Sequence, residues 1–219
     1  MKLTSKLMLT LSIGVVQALV SGCGSSSSSS SSANIDGFVS NGYWKGAKVC
    51  VDRDDNQQCD SGEPTATTGD KGVFSISATT GDVGEYAIIA EVVSGETVEV
   101  DENGNATGNP IILDKMISPK ELQGAITPYT YVVYKEIKEN SKSFDDAVAA
   151  IGISKEDLLK DYNTEPTLSK MKTGARTISQ DIKDGKSLDS IAKTIKDDYS
   201  PNPDPTPTTD SGSLSISAE

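Results

Sequence analysis

The sequence contains no histidine among its 219 residues, and this absence removes several classes of catalytic and metal site. Ser-His-Asp and Cys-His catalysis both need an imidazole to move a proton, so neither can operate here. The same absence excludes zinc sites with histidine ligands and covalently attached c-type haem. Aromatic residues are also scarce, with Trp44 as the single tryptophan, whereas clefts that bind sugars need aromatic surfaces. We therefore expect a protein that is not an enzyme.

Positive charge is in short supply as well. The chain has 20 Lys and Arg residues against 32 Asp and Glu residues, which gives a formal net charge of −12. The deficit lies in the first half, because residues 34–115 contain fifteen acidic and five basic residues, while residues 116–200 are nearly balanced. Such a surface repels phosphate groups, which makes nucleic acid and anionic lipid headgroups poor partners. Cations are the partners that it favours.

Cysteine is rare, and the first of the three cysteines ends a processing signal. Two lysines precede an apolar stretch over residues 7–20 that is too short to span a bilayer comfortably. This stretch leads into the sequence LVSGC, which resembles the lipobox of bacterial lipoproteins. The resemblance implies removal of a signal peptide, residues 1–22, and attachment of lipid, palmitate included, to the sulfur and amino group of Cys23. The alternative is an ordinary secretory signal that ends near a cysteine.

The residue after this cysteine bears on location. Inner-membrane lipoproteins tend to carry aspartate there, whereas this chain has Gly24. The resemblance therefore implies a lipid anchor in the outer membrane, with the protein on the periplasmic side or exposed at the cell surface.

Low-complexity segments separate the folded material from both ends of the chain. The eight consecutive serines of residues 25–32 cannot bury apolar surface, and they predict a flexible tether over residues 23–33. Proline and threonine dominate the other end and predict a disordered tail over residues 201–219. Between these segments we expect a β-module over residues 34–118 and a helical domain over residues 119–200, an α+β organisation.

Short alternating apolar runs, separated by turn signals every ten or so residues, predict a small antiparallel β-sandwich in the first half. The run EYAIIAEVV is expected to be central, and ETVEVDENGNATGNPIIL is expected to form a strand, a turn and a returning strand. The order of the runs resembles the prealbumin-like sandwiches of bacterial surface proteins, the carboxypeptidase-regulatory-like and Cna-B-type modules. The residues that carry this resemblance are Gly37, Val39, Gly46, Ala47, Val49, Asp52, Thr67, Thr68, Gly72 and Phe74.

The segment VCVDRDDNQQCDSGEP, which lies between two predicted strands, has the spacing of a calcium-binding loop. Counted from Asp52 as position one, oxygen-bearing residues occupy positions three, five, seven, nine and twelve, the ligand pattern of the twelve-residue EF-hand loop. No predicted helix flanks it, so the loop is expected without the rest of the EF-hand. The predicted ligands of one Ca²⁺ are the side chains of Asp52, Asp54, Asn56, Asp60 and Glu63 and the backbone carbonyl of Gln58.

One position departs from the calcium-loop pattern. Position six, where glycine normally provides a sharp turn with positive φ, is Gln57, and this lowers the expected affinity. Cys50 and Cys59 form an even pair in an oxidising compartment, so we predict a disulfide that holds the loop closed. The alternative is a solvated acidic turn held by the same disulfide. A second series of oxygen-bearing residues at alternate positions lacks the closing glutamate and is predicted to be a hairpin turn. It consists of Asp101, Asn103 and Asn105.

The second half has the spacing of apolar residues at three and four positions that is typical of amphipathic helices. Residues suited to N-caps begin the predicted helices, and Pro128 occupies the first helical position after Thr127. The apolar stripes are expected to form the core of a small bundle. A similar helical region follows the β-module in exported bacterial lipoproteins, and that resemblance implies a context without implying an activity.

Together these patterns favour a non-enzymatic, lipid-anchored cell-envelope protein with a calcium-binding β-module. Its expected role is adhesion, surface assembly or ligand binding, with a protein or glycan at the cell surface as partner. Two alternatives stay open. One is a periplasmic accessory subunit of a secretion or pilus machine that docks through the helices. The other is a hydrolase with a carboxylate pair, and the available carboxylates are Glu85, Glu91, Glu96 and Glu99.

Overall fold

A computed structural model describes residues 31–199 of the chain. The α+β class is confirmed, with strands in the first half and helices in the second. The strands are β1 (Ser32–Val39), β2 (Tyr43–Lys45), β3 (Lys48–Asp52), β4 (Thr65–Thr67), β5 (Val73–Thr79), β6 (Ala87–Glu91), β7 (Val98–Val100), β8 (Lys115–Ser118) and β9 (Ala125–Ile126). The α-helices are α1 (Pro128–Glu139), α2 (Phe144–Ile151), α3 (Lys155–Leu158), α4 (Ser169–Lys183) and α5 (Leu188–Tyr199).

Several predictions concern residues outside this range. The predicted signal peptide, the lipidated Cys23 and the predicted tail all lie beyond the described residues. The predicted tether also lies mostly outside them, and its last two residues are the first two of β1.

The strand that leads into the predicted calcium loop lies inside a four-stranded antiparallel sheet with the order β4-β3-β6-β8. Strand β6 is central in it, as the sequence predicts. Alternation along β3 places Val49 and Val51 in one apolar core and Cys50 in another, which includes Ile117 and Tyr134. Both faces of β3 are therefore covered, and its end at Asp52 has a fixed position.

A second sheet has the order β5-β1-β9, and one of its pairings differs from the expected antiparallel arrangement. Strands β1 and β5 are antiparallel, but β1 and β9 are parallel, with Phe38 opposite Ala125. Parallel strands need a long connection, and here the intervening strands β2 to β8 supply it. Because β9 directly precedes α1, the parallel pair joins the start of the helical half to the β-module.

The returning strand predicted at residues 111–113 does not form. After β7 the chain makes a turn, and a single isolated bridge joins Val100 to Ala106. Thr107 still donates its backbone N–H to the Glu99 carbonyl at 3.0 Å, but Pro110 has no N–H with which to extend a ladder. The chain pairs again only at β8, and its partner there is β6.

Helices α1, α2, α3 and α5 begin where the sequence predicts, because Thr127, Ser143, Ser154 and Ser187 each accept the backbone N–H three residues further on. Within residues 31–199 no helix combines the length and the apolar composition that crossing a membrane requires. The helical core consists mainly of Leu122, Tyr129, Val132, Val133, Ala147, Ile151, Ile153, Leu158, Tyr162, Leu168, Met171, Ala175, Ile178, Ile191, Ala192 and Ile195.

Candidate metal centre

The acidic loop, residues 52–63, connects the buried end of β3 to the short edge strand β4. Asp52 is only 2% exposed although its side chain is an acidic carboxyl group. At the base of the loop, the Val51 N–H donates to the Pro64 carbonyl at 3.1 Å. The two ends of the loop are therefore held together by the sheet, which fixes where its first and last predicted ligands lie.

The first turn of the loop curls around the Asp52 carboxylate. Its Oδ1 accepts the Asn56 N–H at 3.0 Å, and its Oδ2 accepts the Gln57 N–H at 3.1 Å. Burial raises the pKa of Asp52, while these two hydrogen bonds act in the opposite direction. The ionised carboxylate is thus short of solvation, and a cation beside it would stabilise it.

Glu63 reaches back across the loop from the other end. Its Oε1 accepts the Arg53 N–H at 2.8 Å, and its Oε2 accepts the Asp60 N–H at 3.0 Å. The closing glutamate therefore lies over the start of the loop, which is where a calcium loop needs its last ligand.

Three of the six predicted ligands come together in space. Asp52, Asp54 and Glu63 each offer a carboxylate oxygen, and these oxygens all lie within 4.8 Å of one another. Oxygens on one Ca²⁺ are at most about 5 Å apart, because each lies about 2.3–2.6 Å from the ion. The spacing of the three carboxylates therefore matches one shared calcium ion.

The other three predicted ligands are not gathered in the same way. The Asn56 amide donates to Asp54 Oδ2 at 3.1 Å and also to the Asp60 carboxylate. Its carbonyl oxygen accepts the Gln58 N–H at 2.8 Å. Asn56, Gln58 and Asp60 thus contribute to a hydrogen-bonded network within the loop, and their roles as ligands stay predictions.

The sharp turn expected at position six is present without glycine. Gln57 has φ +63°, and Asp55, two residues earlier, has φ +60°. Left-handed backbone at non-glycine residues is uncommon and costs energy. The departure from the calcium-loop pattern at Gln57 therefore changes the energy of the turn and leaves its geometry in place.

The predicted disulfide between Cys50 and Cys59 is confirmed, with the Cα atoms 5.5 Å apart. Cys50 is fully buried, and its cluster includes Ile89, Ile117 and Tyr134 of α1. The bridge joins the middle of β3 to the far side of the acidic loop, so it restricts the loop from within the core.

Basic side chains that the sequence analysis did not assign to the loop hold its outer side. Lys48 donates to the Cys59 carbonyl at 2.7 Å, and Lys115 donates to the Gln57 carbonyl at 2.7 Å. Lys48 stands two residues before Cys50 on the same strand, so the alternation of β3 could have indicated it. Lys115 comes from β8, and no local pattern places it near the loop.

Helix α1 packs against the loop in space, although no helix flanks the loop in sequence. Lys138 donates to Asp55 Oδ1 at 2.8 Å, and its ammonium group lies 5.8 Å from the centre of the Tyr134 ring. Tyr134 itself packs in the cluster that contains the disulfide. The loop therefore touches both halves of the molecule.

The Arg53 side chain ties the loop to a neighbouring turn. Its Nε and Nη2 atoms donate to the two oxygens of Asp82, each at 2.8 Å. Asp82 also accepts the Thr79 N–H at 2.7 Å and is 2% exposed. The arginine holds the pKa of this carboxyl well below its usual range.

The second series of oxygen-bearing residues, which begins at Asp101, forms a turn, as predicted. Asp101 Oδ1 accepts the N–H groups of Asn103 and Asn105 at 2.8 and 2.9 Å, and the Asp101 N–H donates to the Asn105 carbonyl at 2.8 Å. No acidic side chain returns over this turn from position twelve, which is Ile112.

The carboxylates proposed for a hydrolase have different surroundings. Glu85 and Glu96 are exposed. Glu91 accepts the Cys59 N–H at 3.1 Å. Glu99 is 5% exposed, accepts Arg176 Nη1 at 2.8 Å and is also hydrogen-bonded by Asn109 at 2.7 Å. These bonds give Glu91 and Glu99 structural partners.

Comparison of the chain with protein-family models, with curated proteins and with solved structures yields no match.

Proposed function

We propose that this protein is a non-enzymatic, lipid-anchored cell-envelope protein whose acidic loop binds one Ca²⁺. The ion stabilises the loop and, through the loop, the contact between the β-module and helix α1. We also propose that the β-module is a prealbumin-like sandwich of the carboxypeptidase-regulatory-like or Cna-B type. Adhesion, surface assembly or ligand binding is the role that such a module would serve.

The observation that carries the calcium proposal is the convergence of the Asp52, Asp54 and Glu63 carboxylates, whose oxygens lie within 4.8 Å of one another. Like charges at this distance repel each other when no ion lies between them. Two of the three are also constrained, because Asp52 is buried and Glu63 is fixed by two backbone N–H groups. They cannot move apart freely, and a divalent cation bound between them would remove this repulsion.

Calcium suits the site better than magnesium. All the predicted ligand atoms are oxygens, and a flexible set of six to eight oxygens is typical of Ca²⁺. Mg²⁺ demands a tighter octahedron and keeps its water molecules. The non-glycine residue at position six argues for the weak extracellular range, with a dissociation constant of about 10⁻⁴–10⁻³ M.

The test is thermal unfolding with Ca²⁺, with Mg²⁺ and with chelator, at matched ionic strength so that general screening of the acidic surface is held constant. For that affinity range, 10 mM Ca²⁺ is expected to stabilise the fold by about 1.4–2.7 kcal/mol. A chain of this size then melts about 3–10 °C higher. Mg²⁺ is expected to give a much smaller shift.

A matched pair of variants locates the effect. Glu63→Gln removes the closing charge and is expected to abolish most of the calcium-dependent shift. Glu96→Gln makes the same chemical change at an exposed residue outside the loop and is expected to keep the shift intact. Equal shifts in both variants, or no heat of binding at millimolar Ca²⁺ with the disulfide intact, would rule out the loop as a calcium site.

The anchor is tested separately, because Cys23 lies outside the described residues. Cys23→Ser should move the protein from the membrane fraction to the soluble extract of the cell envelope, since no acyl chain can then be attached. A variant that still sediments with the outer membrane would contradict the lipoprotein assignment.

A further inference from the structure

A cleft of about 450 Å³ lies between the acidic loop and the helical half. Its walls come from three parts of the chain: the start of the acidic loop, the ends of β6 and β8 with the residues beside them, and α1 with the start of α2. Cavities of about 300–1,000 Å³ are of the size that binds small organic molecules. Apart from Asp52, none of the lining residues belongs to the predicted calcium ligands.

The cleft has a substantial apolar lining. The rings of Tyr86, Tyr134 and Phe144 contribute to it, together with Pro119 and Ile137. These residues come from the position just before β6, the segment after β8, and helices α1 and α2, so the apolar surface covers more than one wall. An apolar group of a ligand would be buried here.

The charged groups of the lining are partly neutralised by the protein. Three of its four basic residues form ion pairs, namely Arg53 with Asp82, Lys138 with Asp55 and Lys142 with Glu136. Among residues 31–199, the remaining charged lining residues Lys120, Glu85, Glu121 and Asp52 form no ion pair. Of these, Asp52 already accepts two backbone N–H groups. The cleft therefore offers one free ammonium group and two free carboxylates.

Tyr134 adds a polar group without a partner. Its side chain is 3% exposed, and within the described residues its hydroxyl has no hydrogen-bond partner. A buried hydroxyl without a partner costs about 1–3 kcal/mol. The hydroxyl has almost no accessible surface, so a ligand oxygen would reach it only after the side chains that cover it move aside, and it would then remove that cost.

We propose that this cleft binds a small zwitterion with an apolar side chain, of the size of an amino acid or a dipeptide. Lys120 and the Tyr134 hydroxyl receive its carboxylate, Glu85 and Glu121 receive its ammonium group, and the aromatic and aliphatic lining receives its side chain. A simple anion fits less well, because free carboxylates outnumber the free ammonium group. A simple cation would leave Lys120 without a partner.

This site is distinct from the proposed calcium site, although Asp52 belongs to the lining of one and the ligand set of the other. The zwitterion needs no metal ion for its contacts. The two proposals can therefore fail independently.

The test is a calorimetric titration of the full folded chain with the dipeptide Leu-Phe. Two modified probes accompany it: the N-acetylated dipeptide, which lacks the ammonium group, and the dipeptide amide, which lacks the carboxylate. Saturable binding of Leu-Phe is expected, and both modified probes should bind at least about tenfold more weakly, since a hydrogen bond to a charged group contributes about 1.5–3 kcal/mol.

Variants assign the binding to the cleft. Lys120→Gln is expected to weaken Leu-Phe binding by at least about tenfold, and Lys71→Gln, at an exposed lysine outside the cleft, should leave it unchanged. Tyr134→Phe keeps the ring and is expected to weaken binding several-fold. If Leu-Phe fails to bind at millimolar concentrations, or if Lys120→Gln and Tyr134→Phe both bind it as the unmodified chain does, the proposal is overturned.

The titration is run once with Ca²⁺ and once with chelator. Saturable binding in either buffer supports the zwitterion site. Failure of the calcium proposal would be visible in the calcium titration alone, whereas failure of this proposal would be visible as absent dipeptide binding in both buffers.

Discussion

Two Asp- and Asn-rich segments of this molecule, the acidic loop and the Asn-rich turn, residues 101–109, begin alike and end differently. In each, the first aspartate accepts two backbone N–H groups from the residues that follow it. In each, position four is left-handed, with φ +60° at Asp55 and +81° at Gly104. Only the acidic loop carries a glutamate at position twelve, and only there does a disulfide join the loop to the core.

The first aspartates of the two segments, Asp52 and Asp101, also have pKa shifts in opposite directions. Burial raises the pKa of Asp52, whereas hydrogen bonds from Asn105 and Asn103 lower the pKa of Asp101. Asp101 is partly exposed, and its carboxylate already accepts the backbone N–H groups of its own turn. Acid content by itself therefore does not make a cation site. What distinguishes the acidic loop is a closing carboxylate and a geometry that keeps charged oxygens together.

The largest expected difference between the two segments is the unfolding free energy that is lost when their ion pairs with the rest of the fold are removed. The acidic loop is attached through Arg53 to the buried carboxylate of Asp82, while the Asn-rich turn is attached through Glu102 to Lys172, both about half exposed at 48% and 47%. Arg53→Ala leaves a buried charge without its partner and is expected to cost about 3 kcal/mol in urea unfolding. Lys172→Ala breaks an exposed pair and is expected to cost at most about 1 kcal/mol.

The unfolding free energy at acidic pH tests whether the effect of Arg53→Ala comes from the lost ion pair with Asp82. Because the folded pKa of Asp82 lies below the value of about 3.9 for an unperturbed aspartate, its pair stabilises the fold fully above that value. The contribution is lost as the pH falls from about 4 toward the folded pKa. The difference between the unmodified chain and Arg53→Ala should therefore shrink on acidification. A difference that stays constant down to pH 2 would indicate lost packing and not lost charge.

The disulfide is a second difference between the acidic loop and the Asn-rich turn, and its contribution can be tested by removing it. Closing a ring of about ten residues stabilises a fold by about 2–3 kcal/mol through chain entropy. Cys50→Ala with Cys59→Ala is expected to lower the unfolding free energy by about that amount and to weaken calcium binding, since the empty loop then samples more conformations. The fully reduced natural sequence is the control, and it should lose a similar amount.

An unchanged unfolding free energy in both the reduced chain and the double variant would contradict this account. It would mean that the sheet around β3 holds the loop without help from the bridge.

Local patterns account for what the sequence predicted well. The pairing of Cys50 with Cys59 and the caps at Thr127 and Ser143 involve residues that are close in sequence, so the local sequence pattern is enough to predict each contact. The carboxylates of Asp52 and Glu63, the first and last predicted ligands of the acidic loop, are eleven residues apart in sequence and come together in space.

Contacts between distant segments account for what the sequence missed. Lys138 comes from α1 to pair with Asp55, Lys115 reaches the Gln57 carbonyl from β8, and both contacts depend on how the two halves pack. The parallel pairing of β1 with β9 is equally remote. The predicted returning strand at residues 111–113 does not form because Pro110, directly before it, has no backbone N–H to donate to a neighbouring strand.

The smallest expected effect concerns the one position at which the acidic loop departs from the calcium-loop pattern. Gln57 has φ +63°, which costs a side-chain-bearing residue about 1–2 kcal/mol. Glycine avoids this cost but adds about 0.5–1 kcal/mol of chain entropy to lose on folding. Gln57→Gly keeps the backbone bonds to Asp52 and Lys115 and is therefore expected to stabilise the fold by up to about 1 kcal/mol.

The neighbouring glutamine is a matched control, because Gln58 is exposed and is not among the residues with positive φ. Gln58→Gly incurs the entropy cost without relieving strain, so it should destabilise the fold by about 0.5–1 kcal/mol. Both variants are measured by urea unfolding in chelator, so that ion binding does not enter. Opposite signs are expected. Equal destabilisation would mean that the left-handed turn at Gln57 costs nothing and that its departure from glycine does not weaken the site.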